Sequence, residues 1–389
     1  MANSYNQEVS VATGLTGTSG QSRLVGTVSG AAPTTGTFAV GDFVVDQTGA
    51  MWICTVAGTP GTWQLSGVSV NENIAGKNFI INGGMDIWQR GTSFALSSAL
   101  AYSADRWCSY SSSAITVSQQ TSGLTGFQYA LRMQRTSGST TTSYSQILYN
   151  AESKNSYPLA GQTVTLSFWA KAGANFSGAS NNINVGVESG TGTDQNQYYS
   201  YFTGATLPVN TTATLTTSWQ RFTYTCAMPS NSTQFAVFFN YVPTGTAGAN
   251  DYFDITGVQL EIAPQATPFS RAGGSIGGEL ALCQRYYYSI NGTGTTGGSP
   301  SGVAYSSNWA MLYATVPVTM RTNPSITWTA YGSTSVSTPY IGTYTPTNDW
   351  SVNTVGLNGF AFVSNHFSGL VTGQFLYWYT GNIYITAEL

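Results

Sequence analysis

Three acids stand where carboxylate chemistry could arise. Asp251 and Asp254 fall in the run Asn250-Asp-Tyr-Phe-Asp254, and Asp86 follows Gly84-Met85. Glycoside hydrolysis needs two carboxyl groups roughly 5 to 9.5 Å apart, one as acid and one as nucleophile or base. Asp251 with Asp254, or Asp86 with Asp254, supplies the residue types; the competing reading is that all three are structural. The chain has a single histidine, His366, which excludes multi-histidine metal centres. A Ser-His-Asp hydrolase would have to use it. Its setting, Val363-Ser-Asn-His-Phe-Ser-Gly369, is that of a loop or interface residue, and no nucleophile elbow or phosphate-binding loop is read. Cys54, Cys108, Cys226 and Cys283 include no Cys-x-x-Cys pair. Zinc is therefore not expected, and buried free thiols are favoured over two disulfides.

Saccharide binding asks for other residues: aromatic faces, with amides and hydroxyls between them. Trp309, Tyr344, Trp350 and Trp378 are the candidates. In Gly373-Gln-Phe-Leu-Tyr-Trp-Tyr379 aromatics fall on both faces of a strand. One face is core; the other is buried by another chain or faces a ligand. Tyr344-Thr-Pro-Thr-Asn-Asp-Trp350 reads as a loop with an aromatic at each end, a setting that favours recognition.

The composition limits what must position these residues. Of 389 residues only 7% are charged, 13% are aromatic and 44 are glycine. Disordered chains are charged and poor in aromatics, and long helices need Glu, Lys, Arg and Leu, so neither is expected. A net charge of -3 leaves no basic face for nucleic acid. No apolar run is long enough to insert in a membrane, and no signal peptide is read. Such a surface suits a protein made in a cytoplasm that works outside the cell.

The chain is expected to be mostly β. Residues 1–70 form a small module: Phe38–Asp46 and Ala50–Val56 read as a hairpin around Gln47-Thr-Gly49. Residues 71–77 read as a linker. Residues 78–270 carry alternating strands, among them Val164–Lys171, Ile183–Glu188, Trp219–Thr225 and Gln234–Asn240. They suggest an antiparallel jelly-roll sandwich. Residues 271–288 read as a linker with a short helix at 276–288, and 289–389 as a C-terminal β-sandwich.

Two segments carry a resemblance. The first is Asn78-Phe-Ile-Ile-Asn-Gly-Gly-Met-Asp-Ile-Trp-Gln-Arg-Gly91 with Tyr102-Ser-Ala-Asp-Arg-Trp107. The second is Phe253-Asp-Ile-Thr-Gly-Val-Gln-Leu-Glu-Ile262 with Ala266-Thr-Pro-Phe-Ser-Arg271 and Glu279–Tyr287. Together they resemble bacteriophage tail-fibre and other virion-appendage proteins, in which a sandwich similar to carbohydrate-binding modules precedes a β domain for cell attachment. The residues have local readings too. Gly83 and Gly84 would supply positive φ in a turn, Trp88 and Trp107 would pin the first strand to the core, and Asp105 with Arg106 would form an ion pair.

The resemblance implies a tail fibre or similar appendage. Residues 1–70 would join another virion protein, and residues 289–389 would contact a host-surface glycan. A homotrimer would multiply weak contacts. It also allows a structural calcium at Asp86 and Asp254, with no other cofactor and no enzymatic activity expected. The alternatives are a capsid fibre or decoration protein with a structural role only, and an enzyme that degrades envelope polysaccharide.

Overall fold

The structure, a computed structural model, describes residues 24–26, 32–46, 51–66, 74–293, 300–329, 335–338, 342–344 and 350–389. It is mostly β and divides into two compact units, Met1–Glu72 and Asn73–Leu389.

In the first unit, Phe43–Val45 and Met51–Val56 form the antiparallel hairpin, with Val45 opposite Met51. Thr62–Ser66 pairs beyond it, and Leu24–Gly26 adds a parallel edge. Val44 and Cys54 are buried on one face, whereas Val45, Met51 and Ile53 are exposed on the other. The buried acids accept hydrogen bonds: Asp46 from the Trp52 indole and Asp42 from the amide of Ala39, both at 2.9 Å.

The second unit contains an antiparallel sandwich of two six-stranded sheets. The front sheet runs Thr206–Thr214, Asn182–Gly190, Gln234–Tyr241, Ser145–Asn150, Trp107–Ser111, Ala99–Tyr102. The back sheet runs Gln220–Ala227, Thr163–Ala172, Tyr252–Ile262, Tyr129–Arg135, Ile115–Thr121, Ser93–Leu96. Between them, inward side chains alternate with outward ones along each strand. From the back come Val164, Leu166, Phe168 and Ala170; from the front come Val185, Val187, Phe235, Val237 and Phe239. Trp107 lies among them, fully buried.

Three expectations are corrected here. Residues 78–91 are a run of turns and not a strand. Asn78 ties this run to the Tyr252–Ile262 strand through its side-chain amide and the Val258 carbonyl, at 3.0 Å. Gly83 and Gly84 do not supply positive φ; Asn82 (φ 58) and Met85 (φ 56) do. Gly83 is needed for close approach, since a Cβ there would sit 2.0 Å from the Val258 carbonyl oxygen. Nor do Asp105 and Arg106 pair with each other: Asp105 faces Arg90, and Arg106 faces Glu388.

The Ile276–Gln284 helix is capped by Ser275, whose hydroxyl accepts from the Gly278 amide at 3.1 Å. It is no tether. Cys283 and the following Tyr286 are buried in the sandwich core, and Glu279 accepts hydrogen bonds from the amides of Asn82 and Gly273.

The C-terminal block is built on one long strand, Phe375–Thr386, which runs on past the strand expected at 373–379. Gly381 (φ 91) falls midway along it. The N-terminal half pairs with Ser301–Ala304 and Ser335–Thr338, the C-terminal half with Tyr287–Thr293 and Ser325–Trp328. Ala310–Thr315, Gly359–Ser364 and Ser351–Gly356 extend the sheet. Its core holds Leu312, Trp350, Phe362, Leu376 and Trp378. After the strand, Glu388 lies between Arg90 and Arg106 of the sandwich. Arg321 holds the carbonyls of Ala387 and Glu388 at 2.9 and 3.0 Å, and pairs with Asp194 at 2.9 Å.

Candidate functional site

The front sheet carries an unusual outer face. Register places Thr212, Asn184, Asn240, Gln146 and Tyr110 side by side across five adjacent strands. Each is flanked in sequence by a buried residue that faces the other sheet, so all five point outward. The row is thus a line of hydroxyl, carboxamide, carboxamide, carboxamide and phenol. Asn184 donates to Asn240 at 3.1 Å. Gln146 and Asn240 are only 5% and 8% exposed, so they lie at the bottom of a recess. Beside the row the floor is apolar, with Phe238, Leu148 and Cys108 packed together. Phe238 lies flat over Gly186, where a Cβ would fall 2.0 Å from the ring.

One end of the recess is closed by the Gln197–Ser200 helical turn, capped by Asn196, which accepts from the Tyr198 amide at 2.9 Å. The Gln197 amide donates to the Asn150 side chain of the sheet at 3.0 Å. This turn delivers three tyrosines. Tyr198 packs on Tyr110 with ring centroids 4.8 Å apart, while Tyr199 and Tyr201 are 68% and 71% exposed. Tyr201 has φ 48, a sparsely populated conformation for a bulky residue that costs about 1–3 kcal/mol. Tyr144 projects from the same face as Gln146. Its burial, then the Glu188 carboxylate and Tyr201, push its phenol up to about 12, so it stays a hydrogen-bond donor. Glu188, on the same face as Asn184, accepts from the Gln197 carboxamide at 3.0 Å. Burial raises its pKa against the lowering by that hydrogen bond.

Amides, phenols and aromatic faces in a recess suit a hydroxyl-rich ligand. Sequence reading missed this site, because the row is assembled by register between distant strands. The local signal that could have found it is the aromatic run Tyr198-Tyr-Ser-Tyr-Phe202 in a glycine- and asparagine-bearing loop.

The expected recognition residues are dispersed. Trp350 and Trp378 are 3% and 1% exposed, packed against each other in the C-terminal core with centroids 5.4 Å apart and planes tilted at 45°, so a sugar ring cannot reach them. The strand Gly373–Tyr379 does turn two faces: Leu376 and Trp378 go inward, and Phe375 goes to the surface. Trp309 is half-buried against the exposed Tyr305, ring centroids 4.4 Å apart. Tyr313 is exposed on the same side of this sheet, so the block presents an aromatic outer face. The backbone of Tyr344 lies in the Gly342–Tyr344 strand; its side chain, and the rest of the 345–349 loop, lie outside the described residues.

The expected calcium does not fit. Asp254 is held in a fork by Arg132 at 2.7 and 3.0 Å, with Lys171 at 3.7 Å, and Asp86 is paired with Arg271 at 2.9 Å. Protein cations already stand against both carboxylates. Among the described residues no three His, Cys, Asp or Glu side chains cluster as metal ligands. Asp251 is likewise engaged by Arg135 at 2.9 Å, both side chains fully buried. Contrary to the expectation of no nucleophile elbow, Gly273-Gly-Ser275-Ile-Gly277 matches the Gly-x-Ser-x-Gly pattern. The residues before Ser275 are turns rather than a strand, and its hydroxyl is the helix cap. His366 is half-buried in a loop. The four cysteines are free thiols, and Cys54, Cys108 and Cys283 are buried. A separate cleft of about 480 Å³ beside the Ile276–Gln284 helix is lined by apolar groups such as Phe79, Ile81, Pro158 and Leu282.

No family model matches the chain, and no curated protein matches it. Among solved structures, it is similar to the enzymatically active domain of tailspike protein 4 of bacteriophage CBA120, at 12% identity and a TM-score of 0.31 over 48% of this chain and 22% of that one. This chain therefore spans about a fifth of that tailspike domain. It is also similar to a family 4 carbohydrate-binding module, at 17% identity and a TM-score of 0.28 over 47% of this chain and 98% of that one. A third is the CBM22-1 xylan-binding domain of Paenibacillus barcinonensis Xyn10C, at 12% identity and a TM-score of 0.29 over 49% and 98%.

Proposed function

We propose that this chain is a bacteriophage virion appendage protein, of the tail-fibre kind, that adheres to a glycan on the host surface through the recess on the front sheet. The observation that carries the reading is the outward row from Thr212 to Tyr110, walled by tyrosines and free of basic residues. The aromatic outer face around Tyr305, Trp309 and Tyr313 supplies a further surface for adhesion. The virion role comes from the resemblance carried by residues 78–107 and 253–287. The exposed Val45, Met51 and Ile53 face of the first unit supports its use as an attachment surface, to other copies in a trimer or to a virion protein. The reading is non-hydrolytic: Asp251 and Asp254 are held by arginines and serve packing.

The test is binding of labelled protein to a panel of bacterial envelopes, with saccharides released from those envelopes as competitors. Saturable binding is expected, competed by the saccharides and weakened about tenfold or more by Gln146→Ala combined with Tyr110→Ala. Binding that neither the saccharides nor the double variant reduces would overturn the assignment of the recess. Release of sugar fragments would overturn the non-hydrolytic part.

A further inference from the structure

Glu188 differs from the other described acids of the second unit. Asp86, Asp105, Glu152, Asp194, Asp251 and Asp254 each face an arginine, and Glu388 faces two. Glu261 accepts three hydrogen bonds, from the Thr267 amide and hydroxyl and the Gln259 carboxamide. Glu279 accepts two backbone amides. Among the described residues Glu188 meets no cation and accepts one hydrogen bond, from Gln197, although it is 6% exposed. The six strands of the front sheet contain no Lys or Arg, and Glu188 is their one acid. Its side chain lies on the outer face, in the same recess as Gln146 and Asn240. A nearly buried carboxylate with so little compensation costs free energy that a cation would recover, and burial raises its pKa accordingly.

We infer that Glu188 sets the charge of the ligand: the recess takes a saccharide carrying a free, protonated amine, whose ammonium docks on the Glu188 carboxylate while the amide row holds the sugar hydroxyls. A saccharide bearing carboxylate or phosphate at that position is repelled. This rests on the glycan reading above and deepens it. A sugar is favoured over a basic peptide because the outer face that carries Glu188 holds carboxamides, hydroxyls and aromatic rings rather than further acids.

The experiment is calorimetric titration of the whole chain with three oligosaccharides of equal length: an oligomer of glucosamine, its fully N-acetylated form, and an oligogalacturonate. An oligolysine of matching charge is the fourth probe. A charge-assisted hydrogen bond to the ammonium should make the free-amine oligomer bind about tenfold or more tighter than the N-acetylated one, with the galacturonate weakest. Glu188→Gln keeps the shape and a partner for Gln197, and should remove the preference while leaving the N-acetylated oligomer bound. Equal binding of amine and N-acetyl forms, or a preference that survives Glu188→Gln, overturns the role of Glu188 and leaves the glycan reading standing. Oligolysine binding as tightly as the amine sugar overturns the choice of a saccharide. Binding of none of the three sugars overturns the inference, and the envelope-binding test above decides the glycan reading separately.

Discussion

Asp105 carries a charge in a place that resists it. It is buried, with Arg90 3.9 Å away and the Gln89 amide donating to it at 2.9 Å. Burial outweighs both and pushes its pKa up to about 6. In the unfolded chain an aspartate titrates near 4. Between those values the native state holds a proton that the unfolded state has released, so stability falls as pH rises through the window. The loss is complete above the native value and amounts to about 3 kcal/mol. Denaturant unfolding of wild type and Asp105→Asn, compared from about pH 4 to about pH 7, should show the wild type losing roughly that much relative to the variant. A difference that does not change with pH would remove Asp105 as its source. Residue identities foretold some of this chemistry, such as the burial of Trp107. They could not foretell pairing: Asp105 and Arg106 are neighbours in sequence, yet each takes a partner from elsewhere.

At the scale of elements, the strands with clean alternation were legible. Val164–Lys171 became Thr163–Ala172, and Ile183–Glu188 became Asn182–Gly190, because one face of each must enter the core. The 276–288 helix shortened to Ile276–Gln284 because Tyr287 starts the next strand. Register was not legible. It depends on which strands meet, and the recess exists only because Asn184, Asn240 and Gln146 arrive at the same level from separate strands. Gly186 shows how closely these strands are matched. It has no positive φ; its role is to leave room for the Phe238 ring. Gly186→Ala should therefore push Phe238 toward the recess. The expected cost is about 1–3 kcal/mol of stability, with weaker saccharide binding, and Phe238→Leu in the same chain should restore part of both. Denaturation and glycan titration read the two effects separately. An alanine variant as stable as wild type, binding as well, would mean that the ring does not form the floor.

The same dependence on distant partners governs the whole molecule. The sequence reads as a sandwich ending at residue 270, a linker, and a separate distal block. The structure shows residues 74–389 sharing buried contacts across those limits. Cys283 and Tyr286 fill the sandwich core, and the Tyr286 hydroxyl donates to the buried Glu152 at 2.8 Å. Glu388, from the far end of the chain, neutralises Arg106, which is itself buried beside the Tyr286 ring at 3.7 Å. A fragment ending at 270 would leave Arg106 without its carboxylate, a defect that typically costs about 3–5 kcal/mol, and would open the core at the helix. Domains have only about 5–15 kcal/mol in total, so residues 74–270 alone should fail to unfold cooperatively, while residues 74–389 should match the full chain in midpoint. Glu388→Ala in the longer fragment should lower that midpoint, and adding Arg106→Met should recover part of the loss, since the uncompensated charge is then gone. If residues 74–270 unfold in one sharp transition at the midpoint of the full chain, the buried contacts of Tyr286 and Glu388 are dispensable and the two blocks are independent. If they do not, adhesion assays that truncate at residue 270 report a damaged sandwich rather than a missing recognition surface, and the recess has to be tested by point substitution in the intact chain.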